Sequence, residues 1–290
     1  MTQPTVTILT PTYNRANHLK KCYESLKMQI CQDFEWLIID DGSTDETKDT
    51  IKPFLSETEF HVEYHVKKNG GKHTALNYSH DFIHGRYTII LDDDDTLTPD
   101  AIETIKHYWE KYNENKEIWC LSFQKLLNGK PVQLFDKEET ISNHISFRIV
   151  SNRPFDCAEV MRSDIFKSYF FPEFAGERFI GEDCMWTTLA LCYDTVYIRK
   201  GIYNCEYLEG GLTKSGRKFR LKSPNGGMFR SNIYLESRFS LKLRIKHAVL
   251  YDIYAFASKD VHGSLKKSNS KGLCRLVLPA GFLVYKKWNK

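Results

Sequence analysis

The sequence predicts an α/β protein with a doubly wound, mostly parallel sheet and a helical C-terminal extension. Three features of the 290-residue chain lead there. Strand-like and helix-like runs alternate from residue 6 to residue 91. The last of these strands empties into four consecutive aspartates, Asp92 to Asp95. Beyond Glu117 the alternation lapses into a less regular stretch that ends in helical spacing and a basic, apolar tail. Such alternation puts crossover helices between parallel strands, and sheets of this kind take ligands at the carboxyl ends of their strands.

Each element follows from its period. Val6 to Thr10 reads as the first strand, and Leu19, Cys22 and Leu26 share one face of the helix after it. Phe34 to Ile39 is a buried strand, followed beyond Thr44 by a helix with Ile51, Phe54 and Leu55 inward. Val62 to Val66 is a third strand. A helix through Ala75, Leu76, Ser79, Phe82 and Ile83 then leads to the fourth, Tyr87 to Leu91. Thr98 and Pro99 suit the N-cap and first turn of a helix that buries Ile102, Ile105 and Trp109. Strand candidates in the irregular stretch are Ile118 to Phe123, Ala158 to Met161 and Thr195 to Arg199. Met185, Trp186, Leu189, Ala190 and Tyr193 form a helical stripe with Gly181-Glu182-Asp183 at its entrance, and Ile233 to Ala257 is helix-compatible.

Composition narrows the function classes. A hydrophobic share of 41% and a charged share of 27% fit a folded globular protein. Forty-one basic against 37 acidic residues, formally +4, is too small a surplus to imply a nucleic-acid partner. The eight cysteines never form a C-x-x-C pair and are expected as reduced core thiols. No apolar leader precedes the first strand, and no window reaches the roughly 20 apolar residues of a spanning helix. The expected location is cytoplasmic, with peripheral contact on the inner face of the cell membrane as an option carried by the tail.

The aspartates are the strongest chemical signal, because four like charges at the end of an apolar strand call for a positive partner. Hard oxygen ligands there suit Mg²⁺ or Mn²⁺, which would bridge to the phosphates of a bound nucleotide. Asp92 and Asp94 point the same way if the chain stays extended. A solvated acidic turn is the plainer alternative. Asp40-Asp41-Gly42-Ser43 also follows a buried strand, where a carboxylate can read a base or ribose, or simply shape a turn and a helix cap. Thr10-Pro11-Thr12-Tyr13-Asn14-Arg15 offers backbone and a tyrosine ring to a nucleobase. Asn69-Gly70-Gly71-Lys72-His73 offers close backbone approach and a lysine for phosphate.

Later motifs are less specific. Gly181-Glu182-Asp183 can supply a general base for an acceptor hydroxyl, or only start a helix. Lys214 to Lys222 packs five cations into nine residues, with glycines at 210, 211, 226 and 227. It is a lid over a leaving diphosphate, a solvated loop or a contact for anionic lipid. Leu276 to Tyr285, flanked by Lys271, Arg275, Lys286, Lys287 and Lys290, is either a surface-lying anchor or a docked tail.

Taken in order, TPTYNR, DDGSTD, NGGKHTALN, LDDDD and the GED before a helix resemble family 2 glycosyltransferases over roughly residues 4 to 200. The resemblance implies a GT-A type fold, a nucleotide-sugar donor with UDP favoured, a divalent Mn²⁺ or Mg²⁺ and an inverting single displacement. It also implies a saccharide or lipid-linked saccharide acceptor, in bacterial surface polysaccharide synthesis. By matching position, Asp40 would read the base, Asp92 the ribose or diphosphate, Asp94 the metal, and Asp183 would be the catalytic base. Asp93 stands where the family often has a smaller residue, which leaves the carboxylates that touch metal less fixed.

The candidate donor-binding residues are therefore Thr10, Pro11, Tyr13, Arg15, Asp40, Asp41, Lys72, Asp92 and Asp93. The metal candidates are Asp94 and Asp92, and the catalytic ones Asp183 and Glu182. The expected division is a donor-binding half over residues 1–115, an acceptor and catalytic-base half over 116–222, and a C-terminal extension over 223–290.

Asp92-Asp93-Asp94-Asp95-Thr96 also fits the D-x-D-x-T pattern of aspartyl-phosphate phosphohydrolases, although three strands precede it here. A nucleotidyltransferase would want a glycine-rich loop after the first strand, where Thr10-Pro11-Thr12-Tyr13 stands. Asp92, Asp94, Thr96 and Glu103 fall at EF-hand spacings, but Leu97 takes the glycine position. A catalytically inert nucleotide-sugar binder is the remaining rival.

Overall fold

A computed structural model describes residues 3–57, 59–153, 155–205 and 216–289. It divides into two compact units, residues 1–170 with 189–206 and residues 171–188 with 207–290.

The first unit opens with β1 (Val6–Thr12), α1 (Ala16–Lys27), β2 (Phe34–Asp40), α2 (Thr47–Ile51), β3 (His61–Val66), α3 (Lys72–Ser79) and β4 (Tyr87–Ile90). β1 pairs with β2 and β4, and β2 with β3, all in parallel. Every residue of β1 and β2 is buried, as expected of parallel strands covered on both faces. α1 buries Ala16, Leu19, Cys22 and Leu26, the stripe its spacing implies. All four strands run the same way, so Thr12, Asp40, Val66 and Ile90 end at one edge of the sheet.

Two helices differ from their sequence signals. The one beyond Thr44 is short, because Pro53 ends it and a 3-10 turn at Phe54–Ser56 follows, burying Phe54 but leaving Leu55 exposed. The helix expected from Thr98 starts at Ala101 instead. Thr98 donates its N–H to the Ile202 carbonyl and the Pro99 carbonyl accepts from Ile30, so both residues serve the sheet and its neighbour.

The rest of the unit comprises β5 (Thr96–Leu97), α4 (Ala101–Tyr112), β6 (Ile118–Leu127), β7 (Lys130–Pro131), β8 (Glu139–Ser142), β9 (Cys157–Arg162) and α5 (Ser163–Ser168). After α6 (Asp183–Leu189), most of which belongs to the second unit, comes β10 (Asp194–Asn204). The sheet order is β3-β2-β1-β4-β9-β6-β10-β5, with β7 on β6 and β8 on β10. β9 runs antiparallel to both β4 and β6, whereas β6 and β10 are parallel. The sheet is thus parallel from β3 to β4 and mixed beyond, because no crossover helix carries the chain into β9. A π-helical turn at Ile145–Val150 precedes β9 instead, and Phe147 from it stacks on Tyr197 at 3.6 Å. Arg162 ties β9 into the fold by donating to the Ile118 and Asn113 carbonyls, both at 2.7 Å, with its guanidinium over the Trp109 ring.

In the second unit α6 is joined by α7 (Gly216–Leu221), α8 (Pro224–Ile233), α9 (Leu241–Ala257), α10 (Val261–Lys267) and α11 (Lys271–Trp288). The helix-compatible run from Ile233 to Ala257 is broken: Ile233 closes α8, and α9 begins after Ser240, whose hydroxyl accepts the Leu243 N–H. Met228, Leu235, Ala248, Tyr251 and Leu265 form the core of this bundle. Gly281 lets α11 approach α9 closely, since a Cβ there would stand 2.5 Å from that of Asp252. This is the helical extension the sequence predicts. Among the described residues no helix is long and apolar enough to cross a membrane.

Candidate functional site

The carboxyl edge of β1, β2, β3 and β4 gathers most of the singled-out residues. The aspartates do not stay extended. They turn, with the Asp95 N–H donating to the Asp92 carbonyl at 3.0 Å. The turn buries Asp93 and Asp95 and leaves Asp92 and Asp94 more open, so the even-numbered pair still shares the accessible side. Lys72, the first residue of α3, reaches Asp92 with its ammonium at 2.5 Å. The Thr12 hydroxyl, at the end of β1, donates to Asp93 at 2.6 Å.

Electrostatics follow from this crowding. Burial, joined by the charges of Asp92 and Asp94, pushes the Asp93 carboxyl up to about 7 despite the Thr12 hydrogen bond. Burial also works to raise Asp92, but Lys72 and Lys125 outweigh it and hold that carboxyl below its ordinary range. Asp93 is thus held against ionisation by burial and by its neighbours' charges, a situation a bound cation relieves. The donor set fits Mn²⁺ or Mg²⁺: Asp92 and Asp94 present hard, partly accessible oxygens. Among the described residues no three His, Cys, Asp or Glu side chains form a ready cage.

Asp40 and Asp41 are buried and engaged with the protein. Asp40 accepts from the Ser43 N–H and the Tyr64 hydroxyl, both at 2.7 Å. Asp41 accepts from the Gly70 and Gly71 N–H groups at 2.9 and 2.6 Å and from the Lys67 ammonium at 2.7 Å. Asp41 thereby shapes the glycine loop ahead of Lys72. Gly42, at φ +79°, has the Asn69 nitrogen and Lys67 carbonyl each 3.0 Å from where a Cβ would lie, so only glycine lets these loops meet. Thr10 is fully buried and accepts from the Trp36 indole at 2.9 Å, and Pro11 lies buried beside it. Tyr13 is 42% exposed and Arg15 half-buried, so the ring remains open to a ligand.

Asp183 opens α6 in the second unit, where the Arg230 guanidinium donates to it at 2.6 Å, and Glu182 beside it is half-buried. Gly210, Gly211, Lys214 and Ser215 lie outside the described residues, as does Lys290. The rest of the basic segment forms α7 and its C-terminal turn.

Sequence reasoning missed two residues below the aspartate turn. The Tyr203 hydroxyl in β10 accepts the Asp92 N–H at 3.0 Å, and the Lys125 ammonium of β6 lies 4.2 Å from the centre of the Tyr203 ring. Burial works against the charge on Lys125, but Asp92 and Asp95 outweigh it and raise its pKa. Neither residue stands in a motif, and Tyr203 lies 111 positions from its partner, so no local signal marks them. The turn sits between β4 and β5 rather than between two helices, which removes the EF-hand reading.

The parallel edge thus brings together an acidic turn, a glycine loop and a lysine, at the end of the sheet where open α/β folds take ligands. Residues 7–155 match the profile of the glycosyl transferase family 2, and the chain belongs to that family. It is 32% identical over 189 residues to an uncharacterized glycosyltransferase of Rickettsia felis, covering 64% of this chain and 30% of that protein. It spans about three-tenths of the length of the first curated relatives it matches. Its fold is of GT-A type. Staphylococcus aureus TarS 1-349, solved with UDP-GlcNAc, superposes with a TM-score of 0.65 at 17% identity over 97% of this chain and 81% of that one. The mannosyltransferase PcManGT of Pyrobaculum calidifontis, solved with GDP-Man and Mn²⁺, gives 0.58 at 14% identity over 99% and 83%.

Proposed function

We propose that the protein transfers a sugar from a nucleotide-diphosphate donor, with UDP as the favoured nucleotide, to a hydroxyl of a saccharide or lipid-linked saccharide. The observation that carries this reading is the convergence of the Asp92–Asp95 turn, the Lys72 ammonium and Thr12 at the carboxyl edge of a parallel sheet. Family membership supports sugar transfer as the chemistry. The nucleotide sugars bound by TarS and PcManGT support the donor class.

Donor binding falls to the half over residues 1–115, with Asp40 assigned to the base, Tyr13 to stacking, and Lys72 and Arg15 to the diphosphate. Asp94 and Asp92 would hold Mn²⁺ or Mg²⁺, which when bound supplies a Lewis acid that neutralises the departing diphosphate. Lys72 adds a point charge to the same phosphates. Asp183, in the half over 116–222, is assigned as general base from its place in the GED motif, with Glu182 assisting the acceptor. The acceptor oxygen bonds to the anomeric carbon as the bond to phosphate oxygen breaks. Its proton passes to the Asp183 carboxylate, the electron pair leaves with the nucleotide, and configuration inverts. The extension over 223–290 is assigned as a support in contact with the inner face of the cell membrane. The process proposed is bacterial surface polysaccharide synthesis in the cytoplasm.

The test is a thermal-shift screen of UDP, GDP, CMP and dTDP with and without Mn²⁺, followed by donor turnover with sugar acceptors. A metal-dependent rise with UDP that Asp94→Ala abolishes, with the fold intact, is the expected result. No rise with any nucleotide would sink the donor-site reading. Binding without turnover across the acceptor panel would leave an inert binder, and release of phosphate from simple phosphomonoesters would favour the phosphohydrolase.

A further inference from the structure

Helix α11 has two unlike sides. On its inner side Cys274 and Gly281 are buried, Val277 and Leu278 pack on the bundle core, and Tyr285 stacks near Phe256 with ring centres 5.9 Å apart. On its outer side Leu276 and Leu283 are 77% and 68% exposed, and Pro279 and Ala280 between them are exposed as well. Positions 276, 279, 280 and 283 follow the i, i+3, i+4, i+7 spacing of one helical face. Two leucines aligned on one exposed helical face form an apolar strip whose transfer into an apolar medium is favourable.

Charge identifies that medium. α11 carries Lys271, Arg275, Lys286 and Lys287, all exposed, and no acidic residue. Arg275 and Lys286 flank the apolar stripe, while Lys271 and Lys287 mark its ends. At 18 residues the helix is about 27 Å long, with Pro279 inside it, and with its inner side packed on α9 it offers an apolar strip with cations beside it. A protein partner would need a matching acidic groove, whereas a bilayer bearing anionic headgroups supplies both an apolar interior and a sheet of negative charge. We infer that α11 lies in the plane of an anionic membrane surface, inserting Leu276, Pro279, Ala280 and Leu283 below headgroups that meet its cations. Membrane contact here follows from α11 alone and does not depend on the donor-site reading. The alternatives in the sequence, anchor or docked tail, resolve into one helix that does both with opposite faces.

Flotation of the full chain with vesicles tests this. Recovery with vesicles containing phosphatidylglycerol, none with phosphatidylcholine alone, and a fall with added salt are expected. The double variant Leu276→Glu/Leu283→Glu changes only exposed side chains, so it should keep its melting temperature and lose flotation. Should it fail to fold, Arg275→Ser/Lys286→Ser/Lys287→Ser tests the charge alone and should also lose recovery. A wild-type chain that stays unfloated with anionic vesicles, or variants that float like it, would overturn the inference. A dimer in solution that the leucine variant breaks, without vesicle binding, would assign the face to a second copy.

Discussion

Asp93 and Tyr203 show how single residues set the chemistry of the acidic turn. The Tyr203 hydroxyl, on a buried side chain, is the acceptor for the part-buried Asp92 backbone N–H. Tyr203→Phe removes that acceptor, a loss of about 0.5–1.5 kcal/mol. We expect a lower melting temperature and a weaker metal-dependent nucleotide shift, whereas a merely structural residue would lower only the first. Asp252 makes a different prediction. It is fully buried in α9, neither of its oxygens meets a hydrogen-bond donor among the described residues, and burial pushes its carboxyl from 3.8 up to about 7. An acid whose folded pKa is raised contributes most below its unfolded value and loses that contribution as pH climbs through 7. The chain should therefore melt lower at pH 8 than at pH 5, with Asp93 adding in the same direction. Asp252→Asn should narrow the difference by an amount on the order of 3 kcal/mol. An unchanged pH slope in that variant would contradict the assignment.

At the scale of elements, close approach decides where the second unit is vulnerable. α9 and α11 meet at Gly281, where an added Cβ would lie 2.5 Å from the Asp252 Cβ. Neither helix backbone can yield without disturbing Tyr251 and Cys274 in the same core. Gly281→Val should cost about 1–3 kcal/mol by overpacking, seen as a shift in urea midpoint without a change in slope. In the first unit, the β4–turn–β5 segment is held by strands on either side, since β4 pairs with β1 and β5 with β10. The acidic turn is fixed between two sheet pairings and is not a free surface loop.

Over the whole molecule, binding and turnover should separate by residue. The Asp92–Asp95 turn lies in the first unit and Asp183 in the second. Asp183→Asn is expected to leave the UDP and Mn²⁺ thermal shift within about a degree of the wild type while reducing transfer by roughly 10²–10⁴-fold, the span typical of general-base loss. Loss of the thermal shift together with turnover would assign Asp183 to donor binding or to the fold. The Arg230 ion pair bears on the same experiment, because removing the carboxylate also strips a largely shielded guanidinium of its partner. Circular dichroism of the variant, matched to the wild type, is the control.

Local period and motif order determined much of this protein before any tertiary information. The parallel β1–β4 core, the buried stripes of α1 and α4, and the cluster of Asp92 to Asp95 with Lys72 were all legible, because they follow from spacing along one segment or from the rule that parallel strands end together. The tertiary structure decided what depends on distant partners. Thr98 and Pro99 look like a helix start, yet Ile202 of β10 and Ile30, in the segment after α1, claim them through hydrogen bonds. Lys125 and Tyr203 carry no motif and matter only because β6 and β10 pass beneath the turn. Asp40 and Asp41 read as ligand-facing carboxylates, while the fold shows which protein donors hold them. The two faces of α11 read as one apolar stretch until packing against α9 hides one and leaves the other open. A sequence records the periods that make an element, but the burial and charge compensation of a side chain belong to whatever the fold brings against it.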